Sequence, residues 1–253
     1  MKFKTIQCNG EPIQLVVTLS VLKPQKIRLM VFNPNMPNTY YTNRVKTIKG
    51  KAEFQVFMPQ NSKEVVVKAV SIDGSNESVE ILSVEKKKLD QFSNCYSSPK
   101  IDSFIKFAQE FSERCAVLSQ GTYFSDDRKY RIDLMNDITQ NGRIIQTPAR
   151  ISNINGRMEV SKNQFDKYTV PMRMAILLHE FAHFNLNVVT KDEIEADLNA
   201  LKIYLGLGYP VIEAHNSFLN VFKRSPSLQN KERYQYIKTF IDNFHTIKYR
   251  ICL

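Results

Sequence analysis

Residues 170–183 read Val170-Pro171-Met172-Arg173-Met174-Ala175-Ile176-Leu177-Leu178-His179-Glu180-Phe181-Ala182-His183. Density of apolar residues predicts a buried helix, and a proline in its first turn marks where it opens. The helix carries His179-Glu180-Phe181-Ala182-His183, an H-E-x-x-H motif. Residues four apart stand one above the other on a helix, so both imidazoles can point at one metal ion. Glu180, offset by one residue, can reach a water beside that ion instead of the ion itself. The chain has only 4 histidines, and two of them fall in this motif, so accident explains it poorly. Two imidazoles and a carboxylate on so apolar a helix cost desolvation unless something pairs with them. The competing reading is a helix with two hydrogen-bonded core histidines and a surface glutamate.

Hydrolytic zinc sites take three protein ligands and leave one position open. Downstream lies Thr190-Lys191-Asp192-Glu193-Ile194-Glu195-Ala196-Asp197. Glu193 and Asp197 are four apart and share a helix face, whereas Glu195 points elsewhere. This second helix continues through Leu198, Leu201 and Tyr204 and stops near Gly206 and Gly208, before Pro210. A short connection at 185–189 would turn it back on the first helix and bring Glu193 to the histidines. Thr190-x-x-Glu193 also matches a capping box, in which the glutamate caps its own helix instead. Glu195, and after it His215, are the alternatives for a third ligand.

The pairing of His179-Glu180-x-x-His183 with Glu193-x-x-Ala196-Asp197 resembles the gluzincin metallopeptidases, in particular those whose second motif is E-x-x-A-D. The resemblance covers 170–209 closely, 101–161 in general pattern, and does not extend to 1–85. It is nearest to the soluble, small zincin domains of bacteria and their phages. It implies Zn2+ held by His179, His183 and Glu193, with Glu180 as the catalytic base. Asp197 would accept a hydrogen bond from a ligand histidine. The implied fold places a mixed sheet before the motif helix, with an edge strand beside the substrate; 149–154 or 157–161 is the candidate strand. For the oxyanion the C-terminal helices offer His215, Arg233, Tyr234 and Tyr236.

Working outward, Ile101, Phe104, Ile105, Phe107, Ala108, Phe111 and Cys115 recur at helical spacing and predict a helix to about Leu118. Tyr130 to Leu134 reads as a strand. Asn155-Gly156 suits a type I′ turn, pairing 149–154 with 157–161. Tyr234, Tyr236, Ile237, Phe240, Ile241 and Phe244 suggest a helix packed on the core. Residues 1–85 read as all-β. Ile27, Leu29 and Val31 alternate with Lys26 and Arg28; Ala52, Phe54, Val56 and Met58 alternate with Lys51, Glu53 and Gln55. Val65, Val67 and Ala69, then Val79 and Ile81, repeat the pattern. Asn9-Gly10, Pro24, Asn33-Pro34, Lys49-Gly50 and Asp73-Gly74 supply turns. About seven strands predict an immunoglobulin-like β-sandwich. Lys86-Lys87-Lys88 and the stretch to Pro99 read as a linker, or as a strand end followed by a loop. The expected organisation is α+β, with a β-sandwich accessory domain at 1–88 and a zincin-like metallopeptidase domain at 89–253.

A chain of 253 residues that is 43% hydrophobic can bury a sizeable core. The first residues lack a long apolar region, and the apolar stretch Ile13 to Leu22 is too short to span a bilayer. A cytoplasmic location is expected, or a virion-associated one if the protein is phage-encoded. Cys8, Cys95, Cys115 and Cys252 are widely spaced and read as free thiols. The net charge is +10. Its lysines alternate with apolar residues along strands, so a solvated sheet face is expected and nucleic acid is not the expected partner. The leading expectation is a zinc-dependent peptidase acting on a peptide or protein, with the N-terminal sandwich binding a protein partner or larger assembly. Two alternatives are a structural or assembly protein, for example a phage virion component with little proteolysis, and a basic binding module with a structural metal.

Overall fold

The computed structural model describes residues 2–36, 38–73, 79–92, 98–224 and 227–251, with side chains except at 218–224 and 245–251. The chain is mixed α+β, with mostly antiparallel sheets and six helices among the described residues. It divides into two compact units, Met1–Asp90 and Gln91–Leu253. No helix of the described residues is long and apolar enough to cross a membrane.

Among its described residues the first unit holds five antiparallel strands: β1 (Lys2–Gln7), β2 (Ile13–Phe32), β3 (Tyr40–Met58), β4 (Glu64–Ser71) and β5 (Val79–Lys88). β2 pairs with β3 along almost its whole length. Its first half, from Ile13 to Val21, also pairs with β5, and its second half, Ile27 to Phe32, pairs with β4. β4 in turn pairs with β1. The inward residues Leu15, Val17, Leu19, Ile27, Leu29, Val31, Val65 and Val67 are wholly buried. The described residues thus give five strands, not about seven. Pro24 and Lys49-Gly50, expected as turns, lie inside β2 and β3 at a shift of register between Val21 and Gln25. A proline lacks the N–H that a ladder requires, and a bulge tolerates that loss without ending the strand. Gly50, opposite Val21, takes φ +63° there. Lys86, Lys87 and Lys88 end β5. Of the rest of the expected linker, residues 93–97 with Cys95 lie outside the described residues, as do Gly74 and Cys252. Cys8 and Cys115 are free and buried.

The second unit opens with α1 (Pro99–Arg114), capped by Ser98, whose side chain accepts from the Ile101 N–H. It ends at Arg114, short of the expected Leu118, with Cys115 as its C-cap. Strands β6 (Gly121–Phe124), β7 (Arg131–Met135), β10 (Ala149–Ile151) and β11 (Met158–Ser161) form a sheet in the order β10-β11-β7-β6. β11 and β7 run parallel, and the other two pairs are antiparallel. A small hairpin, β8 (Thr139–Gln140) with β9 (Arg143–Ile144), stands apart. Next come α2 (Lys162–Phe165), α3 (Val170–Asn185), α4 (Glu193–Gly206), α5 (Val211–Arg224) and α6 (Leu228–Ile251).

β10 is an edge strand, and Asn155-Gly156 does lie in its connection to β11. The turn is not type I′, however. Ser152 and Arg157 pair across a four-residue loop, and Gly156 alone, at φ +68°, takes a positive φ. A Cβ on Gly156 would meet the Phe184 ring at 2.7 Å, so the glycine admits that aromatic at the end of α3.

α3 runs through the core with residues 170–178 all buried. Phe104 of α1 stacks on its Phe181, ring centroids 4.0 Å apart. Arg173 is 0% exposed. Its guanidinium donates to the Phe165 carbonyl at 2.9 Å and to the Ser112 carbonyl at 3.0 Å. A cation that cannot reach water thus ties α3 to the ends of α1 and α2.

Candidate metal centre

The helical spacing of His179 and His183 brings their Nε2 atoms to 3.1 Å from each other. Glu193, the first residue of α4, reaches both: its carboxylate oxygens lie 3.4 Å from His179 Nε2 and 3.5 Å from His183 Nε2. Asp192 resolves the rival capping role. It is the N-cap of α4, and its side chain accepts from the Glu195 N–H at 2.9 Å. The Thr190-x-x-Glu193 capping box is not formed, and the Glu193 side chain is left for the histidines. Glu195 faces the α3–α4 loop, where the Val188 and Val189 N–H groups donate to its carboxylate at 2.9 and 3.3 Å. It is not part of the cluster.

Each imidazole is held from behind. His179 Nδ1 lies 2.9 Å from Asp197 Oδ1, and His183 Nδ1 lies 2.7 Å from the Thr190 carbonyl oxygen. Both partners are acceptors, so each Nδ1 is placed to donate, and a neutral ring that does so turns an Nε2 lone pair toward its neighbour. Two lone pairs 3.1 Å apart beside a carboxylate repel one another unless a positive charge lies among them. A proton on one ring satisfies that demand, and so does a metal ion. His179, His183 and Glu193 could hold a metal ion, with their ligand atoms all within 4.8 Å of one another. Two nitrogens and one carboxylate suit zinc, with room for a further ligand.

The electrostatics show the same demand. Burial of the His179 ring works against its charged form, but Asp197 and Glu193 outweigh it and raise the pKa to about 10. Burial also works against a charged Glu193. The two imidazoles and Arg233 overcome it and hold that carboxyl well below the usual range. Glu180 behaves differently: burial pushes its pKa up against the pull of both histidines, and the Ile151 N–H of β10 donates to its carboxylate.

Arg233 completes the cluster from α6. Ile237, Ile241 and Phe244 of that helix are buried. Arg233 lies one turn before Ile237 and on the same side. It donates to Asp197 through Nε at 2.8 Å and Nη2 at 3.0 Å, and Nη1 lies 3.0 Å from Glu193. One guanidinium therefore fixes both the third candidate ligand and the acceptor behind His179.

The cluster forms one wall of a cleft of about 530 Å³, with β10 as the facing wall. Of the four residues considered for an oxyanion, Arg233 lines this cleft, and His215, Tyr234 and Tyr236 are not among its lining residues. His215 sits 6.2 Å from the Tyr234 ring, and Tyr236 is exposed. The sequence reading did not single out the Thr190 carbonyl or the Ile151 N–H. Both are main-chain groups, which leave no mark in residue identity. Compared with known proteins, the chain matches no family model and no curated protein.

Proposed function

We propose that the second unit is a gluzincin-type, zincin-like peptidase domain that hydrolyses peptide bonds with one zinc ion held by His179, His183 and Glu193. The convergence of two imidazole Nε2 lone pairs and a carboxylate on one point carries this reading. When bound, the ion would polarise the scissile carbonyl and acidify water. Glu180 takes the proton of the attacking water on a carboxylate oxygen and delivers it to the leaving amine nitrogen. Its raised pKa brings it nearer to neutrality, which favours both transfers. Asp197 and the Thr190 carbonyl orient the imidazoles, and Arg233 holds Asp197 and Glu193 in place.

The substrate is a peptide strand paired with β10. Ser161 donates to the Pro148 carbonyl and Ser152 to the Arg157 carbonyl, which turns the main-chain groups of 148, 150 and 152 toward β11. Those of Ala149 and the Ile151 carbonyl point to the outer edge, where an extended chain would add by β-augmentation, while the Ile151 N–H on that edge donates to Glu180. The first unit, read as an immunoglobulin-like sandwich, is an accessory module for a protein partner or larger assembly. Its fold alone names no partner.

The test is metal content. The purified protein is expected to carry about one zinc per chain, as four-ligand hydrolytic sites do, and a His179→Ala/His183→Ala variant none. Wild-type protein that stays metal-free after reconstitution overturns the proposal. Uptake should also depend on pH. In the metal-free protein His179 holds a proton up to about 10, and the ion must displace it. Below that value zinc affinity should rise about tenfold per pH unit, with a proton released on binding. Calorimetry in two buffers of different ionisation enthalpy measures that release. No release would mean that the imidazoles bind the ion from the neutral state.

A further inference from the structure

The outer face of the four-stranded sheet, turned away from the core, carries a row of charge. Register places Thr122 of β6, Asp133 of β7, Glu159 of β11 and Arg150 of β10 side by side across all four strands. Arg131 and Arg157 flank the row, each two residues from an acidic member and so on the same face. Asp133 accepts from Thr122 at 2.5 Å and from Arg131 at 3.0 Å, and it also pairs with Arg157. Glu159 accepts from Arg150 at 2.5 Å.

The two signs sit at different depths. The acidic side chains are 8% and 20% exposed for Asp133 and Glu159, against 43%, 38% and 40% for Arg131, Arg150 and Arg157. Two sunken carboxylates therefore hold three guanidiniums above them, and the surface that solvent meets is cationic. Arg150 and Arg157 engage their carboxylates through Nε, the inner nitrogen. Arg157 also approaches Glu159 through Nη2 at 3.8 Å, and Arg150 Nη2 donates to the Thr139 carbonyl at 3.1 Å. A second cavity of about 340 Å³ is lined by Arg150, Ile151, Ser152, Asn155, Arg157 and Glu159. Arg150 and Ile151 line the metal-centre cleft as well, so the two cavities flank the same edge strand.

A strand added to β10 sends its side chains alternately to the two faces of the sheet. Residues opposite Ala149 and Ile151 point toward the cleft. The residue opposite Arg150 points to the outer face, into the arginine-lined cavity. We infer that this cavity is a specificity subsite for an acidic side chain, Asp or Glu, of the substrate strand. Within the cavity lining two guanidiniums, Arg150 and Arg157, stand against one carboxylate, Glu159, which leaves one positive charge to neutralise, and a planar guanidinium pairs with a carboxylate through two parallel hydrogen bonds. The inference rests on the peptidase reading and on pairing of the substrate with β10.

The experiment digests a synthetic peptide mixture of balanced composition with the zinc-loaded full chain and maps cleavage sites by mass spectrometry. Glu180→Gln serves as the blank. Asp and Glu are expected to be enriched about three- to fivefold at a fixed position near the cut, the worth of one partly exposed ion pair. The enrichment should fall to background in Arg150→Gln/Arg157→Gln. Because that variant strips partners from the sunken Asp133, a second readout uses the wild type alone. The ratio of kcat/KM for a Glu peptide over its Gln counterpart should fall toward one as salt rises to about 0.5 M. Cleavage with no acidic preference, or a preference indifferent to salt, overturns the subsite and leaves the peptidase standing. No cleavage at all removes the peptidase reading and the subsite with it.

Discussion

Replacing Glu180 with glutamine is expected to lower peptide turnover by about 10³-fold while the protein keeps its zinc. The amide has the shape of the carboxylate and can still accept from the Ile151 N–H through its oxygen. It cannot take a proton from water. None of the three candidate ligands is touched, so metal content and turnover should separate in one preparation. The pH profile offers a second view. A base works only when deprotonated, and burial raises the Glu180 pKa. Burial therefore works to move the acid limb of kcat/KM up and the bound ion would work to move it down, with activity lost as pH falls through it. Turnover equal to wild type would sink the role of Glu180. Loss of zinc in the variant would show instead that the carboxylate supports the metal.

Arg173→Met is expected to destabilise the second unit by about 2–4 kcal/mol, the worth of two buried hydrogen bonds from a charged donor, although the Phe165 carbonyl keeps the Tyr168 N–H and the Ser112 carbonyl the Cys115 thiol. Methionine fills much of the volume but offers nothing to the Phe165 and Ser112 carbonyls, which now accept from the guanidinium. Removal of a buried charge offsets part of the loss. A domain stabilised by about 5–15 kcal/mol would lose a large share of its margin. Urea unfolding of the metal-free full chain, followed by a signal from the second unit, measures the shift. An unchanged midpoint would mean that the arginine is neutral to stability. Because α3 also carries His179 and His183, partial unfolding should lower zinc retention in parallel.

Much of the candidate centre is written locally. The positions of His179, Glu180 and His183 follow from helical period and apolar density, and Glu193 from its spacing to Asp197. The rival capping role was settled by Asp192, whose own Asp-x-x-Glu pattern with Glu195 was present in the sequence. Arg233 could be offered only as one of four candidates. Its partner Asp197 is 36 residues away, and which face of α6 turns inward depends on packing. The N-terminal strands were legible by alternation, but not their number. Pro24 and Gly50 read as turns by local rule, and the pairing of β2 with β3, which resumes across a bulge between Val21 and Gln25, overrides that rule. The outer arginine row was not legible at all. It exists only through the register of four short strands, including the parallel pair β11–β7.

The two histidines are braced by different kinds of group, and this bears on how the sequence can drift. His179 leans on the Asp197 side chain, which a single codon change can delete. His183 leans on the carbonyl of residue 190, a group that every amino acid supplies. Position 190 is therefore free to vary as far as this contact is concerned, provided the loop keeps its course. Position 197 is not, and neither is position 233, which grips it. Inactivating substitutions that spare the H-E-x-x-H signature should accumulate at 197 and 233, so an intact motif in a diverged copy is no guarantee of an intact centre.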